Sequence, residues 1–100
     1  MMLPMETSEL LSQRGKTHGN YSDHARLTQS LKEIMRNFHC IKPSTDNTIC
    51  SWDELQQTQA EALDMIAHKI GRILAGDPDF RDHWDDIAGY AKLVADRCTK

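Results

Sequence analysis

Little in this sequence advertises a function. Aromatic residues amount to 6% of the chain, two each of Trp, Tyr and Phe, and Trp52 and Trp84 read as packing groups rather than base-stacking platforms. The three cysteines, Cys40, Cys50 and Cys98, are odd in number and lack C-x-x-C spacing. They fit reduced thiols in a cytosol better than a disulfide framework. His39, Cys40 and Cys50 could supply three zinc ligands, but nothing marks a fourth, so ordinary loop or core cysteines are expected. No apolar run approaches the roughly 20 residues of a membrane span. The opening MMLPMETSELLSQRG has no basic stretch followed by an apolar run, so no signal peptide is expected there. Lys and Arg total 12 against 15 Asp and Glu, a net charge of -3, which leaves no basic excess for nonspecific nucleic-acid binding. There is no P-loop and no G-x-G-x-x-G. Nor does Ser22, Ser30 or Ser51 belong to a histidine–carboxylate arrangement that would activate a nucleophile.

What is present is a pattern of helices. One hundred residues make a single domain over residues 1–100 and rule out a multidomain enzyme or a large barrel. A first short helix is expected over about 5–14, ending at Gly15, a residue suited to the left-handed C′ position. A second, over about 22–38, carries Leu27, Leu31, Ile34, Met35 and Phe38 on one stripe. Residues 39–50, HCIKPSTDNTIC, read as an exposed loop. Ser51 and Glu54 form S-x-x-E, a capping box that opens a third helix over about 51–75, with Leu55, Ala62, Ile66, Ile70 and Ile73 as its buried stripe. Asp77-Pro78-Asp79 re-caps the chain for a fourth helix over about 80–97, with Phe80, Trp84, Ile87, Ala91, Val94 and Cys98 inward. No segment alternates apolar and polar residues, so no strand is expected. The fold class is all-α, a compact bundle of three main helices plus a short N-terminal one. So small a domain has a modest core, and partners or self-association often supply the rest.

Charge is unevenly spread. Residues 1–40 hold five basic and four acidic side chains, and residues 41–100 hold seven and eleven. Five acids crowd the stretch DPDFRDHWDD. On a helical wheel Glu61, Asp64, His68 and Arg72 share a face opposite the buried stripe. Glu61 and Asp64 form E-x-x-D, and Asp82 and Asp86, continued by Tyr90, line a face of the next helix. Adjacent carboxylates repel mildly, and a hard cation such as Mg²⁺ would offset this while sharing phosphate oxygens. Lys69 and Arg72 could then meet the remaining phosphate charge. The same residues are also what any solvated helix face carries, and Asp77, Asp79 and Asp82 suit a helix N-terminus. Met65, Tyr90 and Leu93 lie off the main stripes, as if another chain covered them. Gly89, in mid-helix, suits a place where a neighbouring backbone or a ligand comes close, packing being the more ordinary reason. His18 and Tyr21 in HGNY could touch a ligand or simply be solvated or anchoring, and His83 reads as surface.

Three ordered motifs carry a resemblance. R-G-x-x-H-G-N-Y (Arg14 to Tyr21), K-I-G-R-I-L-A-G (Lys69 to Gly76) and D-H-W-D-D-I-A-G-Y-A (Asp82 to Ala91) resemble an uncharacterised family of small phage and prophage proteins. That family looks distantly like the all-α nucleotide pyrophosphohydrolases of the MazG and dimeric dUTPase group. The resemblance implies a MazG-like bundle, a homo-oligomer in the host cytoplasm, and Mg²⁺-dependent cleavage of nucleoside triphosphates. It would place Glu61, Asp64, Asp82 and Asp86 as catalytic metal ligands, Lys69 and Arg72 on phosphate, and His18, Tyr21 and Tyr90 near the nucleoside. The sequence departs from that group in having no E-E-x-x-E. The order K-x-x-R, Gly, D-x-x-x-D, Tyr also resembles a phage nucleotide kinase family without a P-loop. A different class of reading remains beside these, a non-catalytic helical phage protein that binds a basic host protein.

Overall fold

The computed structural model describes residues 7–41 and 51–100. Four α-helices follow in order, α1 (Thr7–His18), α2 (Tyr21–Asn37), α3 (Gln57–Ala75) and α4 (Arg81–Ala95), with a single 3-10 turn over Trp52–Glu54 before α3. The all-α class stands. Among the described residues the only β pairing is an isolated antiparallel bridge between His39 and Ser51, and no helix is long and apolar enough to cross a membrane. Residues 5 and 6 of the first expected helix, residues 42–50 of the expected loop, and Cys50 with them, lie outside the described residues.

The helix ends differ from the sequence expectation for identifiable reasons. α1 does not stop at Gly15, where an added Cβ would meet nothing within 4 Å, but continues a full turn to His18. Gly19 is the residue that takes a positive φ, 83°, and it breaks the helix. Asn20 then caps α2, its side chain accepting a bond from Asp23 N at 3.2 Å, with Asp23 favourably placed in the first turn. The S-x-x-E box does not open α3. Ser51 is extended and makes no side-chain cap bond, because its backbone bridges to His39 instead. The working cap is Gln56 with Gln59, each side chain meeting the other's backbone, the same reciprocal geometry with amides in both places. Between α3 and α4, Asp79 N donates to Asp77 Oδ1 at 2.9 Å and Phe80 N to Asp77 O at 3.2 Å. This Asx-type turn delivers Phe80, not Asp79, as the residue before α4.

α3 is the central helix. α2 and α4 both pack mainly on it, and α1 touches α3 and α2. Among the described residues the buried apolar side chains are few, Ala62, Ala67 and Ile73, all on α3. Of the stripe expected on α2, Ile34 and Phe38 are exposed, and so are Trp84, Ala91 and Cys98 of the stripe expected on α4. The buried places go to polar side chains instead, His24 and Thr28 of α2, Lys69 of α3 and His83 of α4. His83, expected at the surface, is 1% exposed. Its Nε2 donates to Thr17 O at 2.8 Å, and its ring meets those of His18 and Phe80 edge-on, 4.8 and 4.9 Å away.

Two backbone turns lock against each other at this end of the bundle. Asp77 N also donates to Thr17 O, at 3.1 Å, so one carbonyl at the end of α1 holds both the α3–α4 turn and the His83 ring. The approach is too close for side chains. A Cβ at Gly19 would lie 2.0 Å from Ala75 O, and one at Gly76 would lie 2.6 Å from both Arg72 O and Thr17 O. These two glycines of the HGN and AGD segments are therefore explained by backbone contact. Gly89 is not, since nothing lies within 4 Å of a Cβ there. The mid-helix glycine with a packing reason is Gly71, whose Cβ would fall 2.6 Å from Thr28 Oγ1 and 2.8 Å from His24 Nδ1.

Candidate functional site, a basic pocket between α1, α2 and α3

The close approach of α2 to Gly71 sets one wall of a pocket of about 520 Å³. α1 contributes Arg14 and His18, the α1–α2 turn Gly19 and Asn20, α2 Tyr21, His24, Thr28 and Gln29, and α3 His68 and Arg72. Two arginines and three histidines line it, and among the described residues no Asp or Glu does. Such a lining suits an anion, because arginine presents a planar set of donors matched to carboxylate or phosphate oxygens. Tyr21, 82% exposed, stands at the rim as an aromatic face.

The charges act on one another. Burial lowers the Arg72 pKa from its ordinary value, and Arg14 lowers it further, while Asp86 and Tyr90 work the other way. All three pocket histidines are held below the usual imidazole value. For His18 the causes are burial, then Arg72, Arg14 and His83, against a hydrogen bond to the Arg14 backbone. For His24 they are burial, then Arg72 and His68, against the Gly71 backbone. For His68 they are burial, then Lys32 and Arg72, against Asp64. Geometry says the same of His68. Lys32 Nζ lies 2.9 Å from His68 Nε2, and an ammonium can only donate, so Nε2 carries the lone pair and the ring is neutral. His24 Nδ1 and Thr28 Oγ1 are buried without a hydrogen-bond partner.

The carboxylates expected to hold a metal do not gather. Asp64, on the face read as solvated, turns to α2 and takes both oxygens to Arg36 Nη2 at 3.0 and 3.1 Å; the Arg36 guanidinium also lies 5.3 Å from the Trp52 ring. That face lies against α2 instead of water because α2 supplies Lys32 and Arg36 to meet it. Asp86 is bound to Lys69 Nζ at 2.8 Å, and this contact holds the Asp86 carboxyl below the usual carboxylate range. Glu61 is exposed beside a groove with Tyr90, Leu93, Val94 and Arg97, and Asp82 is exposed in the first turn of α4. Among the described residues no group of three or more His, Cys, Asp or Glu side chains is placed to hold a metal ion. Two of the four carboxylates have cations as partners, so this set does not fit Mg²⁺ as arranged here.

Of the residues expected at phosphate and nucleoside, Arg72, His18 and Tyr21 come together in the basic pocket, whereas Lys69 and Tyr90 do not line it. Lys69 is a structural cation, 8% exposed and neutralised by Asp86. Replacing Asp86 with Asn should lower the melting temperature at pH 7, because Lys69 would keep its charge in a buried place without a counter-ion. Thermal unfolding of Asp86→Asn against wild type checks this. A melting temperature unchanged by the substitution would show that water already serves Lys69. Sequence reasoning missed Arg14, His24, Thr28, Gln29 and His68 as pocket residues. The usable signal was the pairing of His24 with Thr28 at i and i+4, polar residues beside the Leu27–Leu31 stripe, together with Gly71 next to Arg72. No family model, curated protein or solved structure matches the chain.

Proposed function

We propose that the chain is a phage-type nucleotide-handling protein that grips the phosphate end of its ligand in the α1–α2–α3 pocket. The observation that carries the reading is the lining itself, Arg14 and Arg72 with three histidines and, among the described residues, no acid. Asn20 and Tyr21 at the start of α2 add a polar side chain and an aromatic face where a sugar and base would lie. The helix N-terminus there favours negative charge as well. Binding is the supported activity. A pyrophosphohydrolase or kinase reaction through Mg²⁺ would need carboxylates that here are engaged by Arg36 and Lys69, so ligand capture is expected to proceed without the metal.

The test is a thermal-shift screen of nucleoside mono- and triphosphates in EDTA and in Mg²⁺, followed by product analysis. Stabilisation of similar size in both conditions, by a few degrees at saturating ligand, is the expected result. If no nucleotide stabilises the protein in either condition, the reading is lost. The interaction-protein alternative would then lead. It is favoured by an apolar groove of about 400 Å³ lined by Ile34, Met35, Phe38, Trp52, Leu55 and Leu63.

A further inference from the structure

Three imidazoles in one pocket with two permanent cations make an unusual arrangement if charge capture were the whole purpose. More arginine would be simpler. Histidine differs in being able to change its charge near neutrality, and each of these rings is set where a bound anion would change it. His18 faces Arg14 and Thr17 on α1, Arg72 on α3, and His83 and Phe80 from the α4 end. His24 faces His68, Lys69, Gly71 and Arg72, all on α3, with ring centroids 5.7 Å from His68. His68 faces Lys32 from α2 and Asp64, Lys69 and Arg72 along its own helix. Asp64 is the one acid among these neighbours, and it is paired with Arg36. The pocket thus surrounds neutral rings with positive charge.

Resting on the reading of this pocket as a phosphate-gripping site, we propose that it binds a phosphoryl dianion together with protons, taken from water onto the imidazoles of His18, His24 and His68. The balance is simple. Each proton leaves a water-borne buffer acid and adds to an imidazole lone pair, with no bond to phosphorus made or broken. The dianion reverses the sign of the local field, so that a charged ring becomes favoured where it had been repelled. The floor of the pocket supplies the second, independent observation. His24 is 8% exposed and Thr28 1% exposed, and Nδ1 of the first and Oγ1 of the second have no partner. Both residues line the pocket with bonding capacity left over: a threonine hydroxyl can donate to an anion oxygen, and a protonated imidazole donates from both nitrogens where the neutral ring donates from one. At His68 protonation ends the bond that Nε2 accepts from the Lys32 ammonium and leaves Nε2 a donor. The ligand class that follows is a monophosphate ester or a terminal phosphate carrying two charges, in preference to a singly charged carboxylate.

Calorimetric titration of the whole chain with adenosine monophosphate and with inorganic sulfate, at pH 7 in two buffers of different ionisation enthalpy, reads proton uptake directly. Sulfate keeps its two charges across the range, so any pH dependence belongs to the protein. The expected result is uptake of about one proton per ligand and an affinity for sulfate that rises roughly 100-fold from pH 8 to pH 6, a factor of ten per pH unit for each proton taken up. Imidazole NMR titrations, which need no variant, should show the three ring pKa values moving upward when sulfate saturates the pocket. Tight binding that is independent of buffer and pH would overturn the proton coupling and leave the binding reading standing. Absence of binding by either probe at any pH would overturn both. In His68→Gln, a pH slope equal to that of wild type would remove His68 from the set and overturn the proposal as stated.

Discussion

Gly19→Ala should be the most damaging single-methyl change in the chain, lowering stability by at least about 3 kcal/mol. Two independent costs meet there. The backbone holds φ at 83°, a conformation that costs a Cβ-bearing residue roughly 1–2 kcal/mol. The new methyl would also lie 2.0 Å from Ala75 O and 2.4 Å from Ala75 C, atoms of a helix end that cannot swing away like a flexible side chain. Relief requires the α1–α2 turn to lift off the α3–α4 turn, which breaks the bonds from Asp77 N and His83 Nε2 to Thr17 O. For a domain of this length the loss corresponds to a melting temperature about 12 °C or more below wild type. Gly89→Ala is the control with the opposite sign. It sits inside α4 with nothing within 4 Å of the added atom, so alanine should stabilise by roughly 0.5–1 kcal/mol through helix propensity. Thermal and denaturant unfolding of the two variants side by side checks both. Equal melting temperatures would mean that the two turns do not hold each other.

The contrast between these glycines shows what the chain discloses locally and what it withholds. Helical character was legible because a 3.6-residue period needs no knowledge of partners. The end of α1 was not, since Gly15 and Gly19 are both plausible stops and only the far turn at Ala75–Gly76 selects the second. Likewise Ser51 looks like a helix cap until His39, distant in sequence, claims its backbone. His83 reads as surface in the acidic run DHWDD, and its burial depends on Thr17, 66 residues earlier. Asp64 and His68 read as a solvated face because an acidic helix surface needs nothing more, whereas α2 brings Lys32 and Arg36 to meet them. The site follows the same rule. Arg72, His18 and Tyr21 were visible as motif residues, but the fact that three helices gather them in a pocket lined by no acid among the described residues is a property of the tertiary arrangement.

Arg72→Met should separate function from stability by moving them in opposite directions. For the bound anion the guanidinium supplies charge-assisted hydrogen bonds, each worth about 1.5–3 kcal/mol, so affinity for a nucleoside monophosphate should fall about 10- to 100-fold. For the empty protein Arg72 is a liability, because it lowers the pKa of His18, His24 and His68 together. A histidine whose folded pKa lies below its unfolded value binds fewer protons folded than unfolded. Its contribution is therefore intact above the unfolded pKa of about 6.5 and is lost as pH falls through that value toward the folded one. Wild type should accordingly lose stability between pH 7 and pH 5, and Arg72→Met should lose less over the same interval, since the three histidines are then freer to protonate in place. Methionine keeps most of the buried stem volume, so packing against α2 is conserved. Melting curves at pH 7, 6 and 5, run beside binding titrations at pH 7, distinguish the cases. A variant that binds nucleotide as well as wild type would exclude Arg72 from the site. One that binds poorly and is also less stable at pH 5 would show that the guanidinium holds the helices together more than it repels the histidines. The expected pairing, weaker capture with better tolerance of acid, is the behaviour of a cation kept for its ligand at the expense of the fold.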